Sequence, residues 1–454
     1  MNRRRSLTEG PIIKGLALFA LPIFLGQVFQ QLYNTADAFI VGRFLSDEEY
    51  AAVTSSGGLI FLLIGLFAGI SVGAGVVIAR YFGAKDEKNL SDAIHTTVGL
   101  GLVAGVLLTL IGMVFTPHLL RLMGTPESII GYSIEYFRMY FVGSLAISMY
   151  NLLRGILQAV GDSKSPLYFL MASSLTNIAL DLLFIGVFRW GVWSAALATT
   201  ISQFLSAGLC LARLMRTKDV YRLELKKICF RREKVSEIIR FGLPSGVQNS
   251  IIAFANVVVQ SNINAFGDAA VGACGTYAKL ESFVFLPIMS ITMALTTFVS
   301  QNLGAKQHAR VKRGVTFGIV VCVVLAELVG VVLTVFPEPL IRLFTDNPDS
   351  VAIAIRQCRV ESLFFCLMAF SHCVAAVMRG AGRPTVPMFV MLASWCIVRV
   401  TYISLVVPLV GDIWVVFSAY PLTWGISAVV FAVFLFCTDW LHAYDRAEQK
   451  KKAI

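Results

Sequence analysis

Twelve runs of twenty or more predominantly apolar residues follow one another along this chain, at about 12–42, 51–80, 91–116, 128–155, 165–188, 190–213, 236–266, 270–300, 312–336, 350–378, 384–409 and 412–437. A helix needs roughly 20 residues to cross a hydrocarbon layer of about 30 Å, so each run is a candidate membrane span. The runs are continuous rather than alternating, which excludes a transmembrane barrel. Only 14% of the 454 residues are charged, against about 25% in a typical soluble domain, too few to cover the surface of a soluble protein of this length. The expected fold is therefore an all-α membrane protein of twelve helices. The Arg-rich start, residues 3–5, leads into a run with no cleavage signature, and that run reads as a retained first span.

The net charge of +11 comes from short basic blocks between the runs. Such blocks suit anionic lipid headgroups and argue against a nucleic-acid partner. With the amino terminus in the cytoplasm, 29 of the 38 Lys and Arg fall on the inner side and seven on the outer side. The positive-inside rule then places both termini in the cytoplasm. The nine cysteines form no C-x-x-C pair and the five histidines are scattered, so no metal centre or redox motif is expected.

The two halves repeat at an offset of 221 residues. Phe82-Gly83-Ala84-Lys85 matches Leu303-Gly304-Ala305-Lys306, Arg121-Leu122 matches Arg342-Leu343, and Arg138, Gly161 and Pro166 match Arg359, Gly382 and Pro387. Leu21-Pro22 matches Leu243-Pro244 at 222. This predicts two pseudo-symmetric six-helix bundles related by an axis along the membrane normal. The expected division is a first bundle at 1–212, a basic linker at 213–235 that reads as a solvated tether, a second bundle at 236–440 and a tail at 441–454. Two such bundles suit a carrier that opens a central cavity to each side in turn.

Ionisable groups inside spans are costly and mark candidate sites. At 1.5 Å per residue, Asp37 lies ~8 Å, Asp181 ~10 Å and Thr199 ~14 Å below the outer face, with Asn177 one turn from Asp181 on the same helix face. Two carboxylates, an amide carbonyl and a hydroxyl in one layer suit a hard monovalent cation and equally a proton, and binding either could bias a rocking equilibrium. The alternative is structural, with Asp37 capping a helix end or bonding to Tyr33 or Asn34. Glu281, ~17 Å deep, could attract an organic cation or be neutralised by Arg399. Glu327 reads as structural. The positions matching Asp37 and Asp181 in the second half are Val258 and Tyr402, so one coupling site is expected. Some of the 33 Phe and 13 Met could line an adaptable apolar cavity.

Together, Leu21-Pro22 with Asp37 and Val41-Gly42, Arg154-Gly155 with Gly161-Asp162 and Pro166, and Arg379-Gly380-Ala381-Gly382 with Pro387 resemble the multidrug and toxic compound extrusion (MATE) family over about 12–437. That resemblance implies an antiporter that exports hydrophobic or cationic organic compounds from the cell membrane in exchange for sodium or protons, with no other cofactor. It also implies a cation site at Asp37, Asn177, Asp181 and Thr199, with Asn151 a further candidate. Another branch of the family has acidic residues in helices seven and ten. Here Asn256, Gln260 and Asn262 stand in span seven and Met368 in span ten, leaving Glu281, Gln260, Asn256, Arg399 and Met368 as candidates for the substrate cavity. A monomer acting on small molecules within lipid is expected. The competing transporter is a flippase for a lipid-linked oligosaccharide, for which Lys279 and Arg399 would supply basic groups. An intramembrane enzyme would need motifs such as H-E-x-x-H, which are absent.

Overall fold

The computed structural model describes residues 6–55 and 57–442, leaving aside the side chains at 55, 57–64, 66 and 67. Arg3–Arg5 and most of the expected tail, 443–454, lie outside the described residues. Seventeen helices follow in order among them: α1 Ile12–Phe44, α2 Asp47–Ser55, α3 Gly57–Gly83, α4 Glu87–Leu122, α5 Glu127–Val142, α6 Ser144–Ala159, α7 Lys164–Asp181, α8 Trp193–Arg216, α9 Arg232–Asn264, α10 Asp268–Gly304, α11 His308–Val335, α12 Pro337–Ile341, α13 Pro348–Glu361, α14 Phe365–Gly380, α15 Thr385–Met391, α16 Arg399–Val410 and α17 Trp414–Cys437. No strand occurs among the described residues. This follows from the solvent: apolar runs in lipid must satisfy every backbone group within the segment, and helices do so. Among the described residues, nine helical segments are long and apolar enough to cross a membrane, or ten if α5 and α6, bent by 43° at Gly143, form one span. The expected spans four and ten are thus interrupted helices, α5–α6 and α13–α14.

The repeat is visible in the backbone. Lys85 and Lys306 both take the left-handed conformation, at φ 57° and 56°. The turns around them carry the same bonds, from Asp86 N–H to Tyr81 O and from Gln307 N–H to Asn302 O. Gly161 and Gly382 also share positive φ, 88° and 81°, where a side chain would be strained. Val103, Leu107, Leu110, Ile111 and Val114 of α4 are exposed, and so are their counterparts Val324, Leu328, Val331, Val332 and Val335 of α11. An exposed apolar stripe of that size, repeated at one offset, marks a surface for membrane or protein contact.

The chain forms two compact units. Unit 1 contains Leu21–Gly246 and unit 2 contains Leu7–Ala20 with the chain from Val247 onward. The passage from one to the other therefore occurs inside α1 next to Pro22, and inside α9 close to Pro244. Within unit 1, Gly69 and Gly73 of α3 meet Gly242 and Gly246 of α9 so closely that a Cβ at Gly69 would stand 2.2 Å from the Gly246 nitrogen. Small residues four apart on both helices permit that approach. Within unit 2, Arg310 donates to the carbonyls of Leu7, Glu9 and Gly10, and Asn302 donates to Leu7 O, which fixes the segment before α1.

The basic segment between α8 and α9 is not a solvated tether. Tyr221 and Leu223 are buried in the unit 1 core with Ile94, Ile156, Leu214 and Ile238. Leu223 N–H donates to Leu214 O, and Glu224 N–H donates to Nε2 of the buried His95. These buried side chains and backbone bonds hold it to α4 and α8, while most of its charged residues are exposed.

Candidate cation site

Three helices of unit 1 build the site. Asp37 comes from α1, Asn177 and Asp181 from one face of α7, and Thr199 from α8. Asp181 is fully buried and Asn177 nearly so. Directly after Asp181 the helix widens into a π-turn at Leu182–Val187, a departure common at functional positions. Asn177 Nδ2 donates to Thr199 Oγ1 at 3.4 Å, which leaves the amide oxygen as its free end. The carboxyls of Asp37 and Asp181 are neighbours, close enough to interact electrostatically. Asp37 Oδ1, both oxygens of Asp181 and Asn177 Oδ1 are buried and receive no donor among the described residues. Buried acceptors are almost always satisfied, so four unsatisfied oxygens in one cluster are chemically suited to positive charge.

Tyrosines surround this cluster. Tyr33, one turn before Asp37, lies beside Thr199 and Asp37. Tyr136 and Tyr140 approach from α5, with ring centroids 6.2 Å apart. Ile40, Val41, Ile185 and Ala195 pack beneath with Ile178 and Tyr136. Asn151 is placed elsewhere. Its amide donates to Ile147 O at 2.9 Å and accepts from Arg154 at 3.2 Å. It lines an apolar crevice with Ala68, Leu100 and Ala104 rather than joining the aspartates.

In unit 2, Arg399 is buried and donates through Nε and Nη2 to Thr423 Oγ1, at 3.2 and 2.9 Å. Its guanidinium lies 4.3 Å from the Tyr420 ring centroid and 5.6 Å from that of Trp395. Glu281 on α10 and Glu361 at the end of α13 are its acidic neighbours. Of the two partners open to Glu281 from sequence, the structure places Arg399 nearby. Lys279 turns away to the Phe344 ring, 5.7 Å from its centroid. Asn256 and Gln260 stand exposed on α9, where Gln260 donates to Asn264 at 2.9 Å. Met368 is fully buried in α14. Glu327 accepts from Cys366 N–H at 3.0 Å and so caps the start of α14, a structural role.

Residues 22–183 and 244–403 each match the MatE family model. The chain belongs to the MatE family. The two matches begin at the two prolines where the repeat was recognised, so the family unit is the half-chain. This MatE protein is 30% identical over 392 residues to "Probable multidrug resistance protein YoeA" of Bacillus subtilis (strain 168), covering 84% of each chain. It is 28% identical over 437 residues to "Probable multidrug resistance protein YpnP" of the same organism, covering 96% of this chain and 95% of that one. Its fold matches a solved structure described as an outward-facing conformation of a multidrug resistance MATE family transporter, with a TM-score of 0.89, 24% identity and coverage of 96% and 97% of the two chains. The MatE chain is thus an integral membrane protein of the transporter class, with many apolar helices.

Two features of the MatE chain escaped the sequence reading. Tyr136 and Tyr140 border the aspartates, and Glu361 stands beside Arg399. The signal for both was the repeat itself, because Tyr136 and Tyr140 map onto Gln357 and Glu361 at the 221 offset.

Proposed function

We propose that this protein is an antiporter that exports hydrophobic or cationic organic compounds across the cell membrane by alternating access, driven by sodium or protons bound at Asp37, Asn177, Asp181 and Thr199. The observation that carries this reading is the set of four buried, donor-less oxygens contributed by Asp37, Asn177 and Asp181. A carboxylate pair in that position releases one positive ion only when another stabilising charge or a change of surroundings compensates it. Loading the site therefore favours one facing of the cavity and the organic substrate favours the other. The names of YoeA and YpnP agree with export of drugs. Both termini lie in the cytoplasm in this scheme, and the chain acts as a monomer in contact with lipid. The passages of α1 and α9 between units, next to Pro22 and close to Pro244, supply helix points able to flex as the bundles rock.

A flippase for an anionic lipid-linked substrate has less support, because Arg399 sits among carboxylates and Lys279 lies against Phe344. The test is uptake of a fluorescent organic cation by purified protein in liposomes, under a sodium gradient and a pH gradient imposed separately. Transport driven by one gradient, and lost in Asp37→Asn, is the expected result. Gradient-driven transport that survives Asp37→Asn and Asp181→Asn would overturn the assigned site.

A further inference from the structure

We propose that unit 1 carries a binding site for one anionic phospholipid, with an acyl chain in the apolar crevice between α4 and α9 and the headgroup at Arg232 and Arg240. The site rests on the chain being an integral membrane protein and not on the coupling scheme above. The crevice is lined by Ala68 of α3, by Leu100, Val103, Ala104 and Leu107 of α4, by part of α6 and by Ile239 of α9. Small residues open it. At the 221 offset Ala68 and Ala104 correspond to Met289 and Leu325, so the second half has longer side chains where unit 1 has two methyl groups. Val103, Leu107 and Ile239 are also exposed, so the crevice is continuous with the apolar stripe on the surface of α4. Two of its polar residues direct their hydrogen bonds into the protein. Ser144 Oγ donates to Phe141 O at 2.7 Å, and the Asn151 amide donates to Ile147 O at 2.9 Å. An occupant therefore meets mostly aliphatic carbon, which suits a hydrocarbon tail.

The start of α9 sets the level of the headgroup. Arg231 N–H donates to Thr96 Oγ1 at 3.4 Å, and its guanidinium lies 3.9 Å from Asp92 Oδ1, so α9 begins beside the third turn of α4. Arg232, Ser236 and Ile239 then share one face of α9, with Ile239 ~10 Å along the axis from Arg232. On α4, Val103 stands ~10 Å beyond Thr96, at the level of Ile239. Below that level Leu90, Ala93, Ile94 and Val98 of α4 are buried, and its first exposed large apolar residue is Leu102. A basic surface thus gives way to an apolar one at the mouth of the crevice, in the order that headgroup and hydrocarbon take in a bilayer. Arg232 and Arg240 are exposed and make no ion pair among the described residues. The nearby Glu237 is engaged by Tyr81 Oη at 2.8 Å and by Lys234 at 3.6 Å, and Glu233 lies about 100° round the helix from Arg232. Arg240 follows Ile239 directly, and its long stem lets the charge reach the headgroup level. Guanidinium groups match the oxygens of a phosphate diester.

The experiment places the full chain in phosphatidylcholine nanodiscs with a trace of phosphatidylglycerol that carries a photoreactive diazirine midway along one acyl chain. After illumination the labelled peptides are mapped by mass spectrometry. The exposed stripe of α11 around Val324 and Leu328 is the internal reference for chance contact with lipid. The expected result is labelling concentrated at residues 100–107 and at Ile239, displaced by unlabelled phosphatidylglycerol and absent when the diazirine is carried by phosphatidylcholine. Arg232→Gln and Arg240→Gln each lower it about fivefold, the effect of one basic residue at an anionic headgroup. Ala104→Leu removes it by filling the crevice. Labelling of residues 100–107 no stronger than that of the α11 stripe, or equally strong from the phosphatidylcholine probe, would overturn the site. So would labelling displaced by a fluorescent organic cation and not by phosphatidylglycerol, which would assign the crevice to a transported compound. If Ala104→Leu does not fold, the two exposed arginines decide: unchanged labelling in the Arg232→Gln, Arg240→Gln double variant would sink the proposal. No ion gradient enters the measurement, so failure of the coupling scheme and failure of this site are read separately.

Discussion

In unit 1 the carboxyls of Asp37 and Asp181 are neighbours, with tyrosines around them and, among the described residues, no basic side chain acting on them. In unit 2 the carboxyls of Glu281 and Glu361 have the buried Arg399 beside them. The backbone plan is shared, down to the left-handed lysines at 85 and 306. A duplicated scaffold thus carries buried carboxyls in both units, at different positions of the repeat and with different surroundings. On the proposed function, one copy leaves the charge to be brought from solution, while the other has one positive side chain, Arg399, fixed beside its two carboxyls. An ion that enters and leaves can bias a conformational equilibrium, whereas a guanidinium tied to Thr423 cannot be exchanged.

The largest effect expected from this difference is on transport. Asp37→Asn or Asp181→Asn should abolish gradient-driven efflux while leaving insertion and melting temperature close to those of the parent, since each substitution removes a charge that has no internal partner. Arg399→Met should do the reverse in kind. Removing one partner of a buried ionic group costs about 3–5 kcal/mol, so the variant should melt well below the parent, and adding Glu361→Gln should restore much of the loss. An Arg399→Met protein that melts like the parent would show that the guanidinium does not hold the unit 2 carboxylates, and the contrast between units would collapse.

What could be read before any coordinates divides along physical lines. Membrane spans are legible because a lipid solvent imposes long apolar runs, and the layer of Asp37, Asp181 and Thr199 is legible because a helix rises by a fixed amount per residue. The repeat is legible because its turns need particular residues at Lys85, Gly161, Lys306 and Gly382. The breaks at Gly143 and at Ser362–Phe364 are not, since they fall inside apolar runs and depend on what a neighbouring helix offers. At the second, a Cβ on Gly330 of α11 would lie 2.2 Å from Ser362 O, and Glu327 caps the next helix. Nothing local to residues 361–365 announces that arrangement. The packed linker was hidden for a similar reason, because its apolar residues, Tyr221 and Leu223 among them, are interspersed with charges and form no apolar run.

The same break offers a sharper comparison. Position 330 corresponds to Thr109, which in unit 1 carries a side chain that bonds to Ser144 Oγ at 2.9 Å. Gly330→Val should therefore destabilise by about 1–3 kcal/mol through overpacking against the turn, while Thr109→Val should cost only its hydrogen bonds to Ser144 Oγ and Gly105 O, roughly 1 kcal/mol. Thermal unfolding of the two variants side by side is the measurement. Equal losses would mean that the two breaks are supported alike and that Gly330 is not needed for the unit 2 turn.

The smallest expected effect concerns the turns that precede α4 and α11. Asp86 caps α4, accepting from Asn89 N–H at 3.1 Å and from Asn89 Nδ2 at 2.7 Å. Its counterpart Gln307 makes no side-chain cap on α11. The bond from the Asn89 side chain is the main cause that holds the Asp86 carboxyl below its usual range. A carboxyl depressed in the folded state contributes stability that is present above its unfolded value, near pH 4, and is lost as pH falls through the folded value. Asp86→Ala should lower stability by about 1 kcal/mol at neutral pH, with the difference from the parent shrinking once the pH drops below about 4. Gln307→Ala should change little at any pH. Melting curves of both variants between neutral and acidic pH would settle it, because a pH-independent loss in Asp86→Ala would assign the residue to packing and remove the electrostatic asymmetry between the two turns.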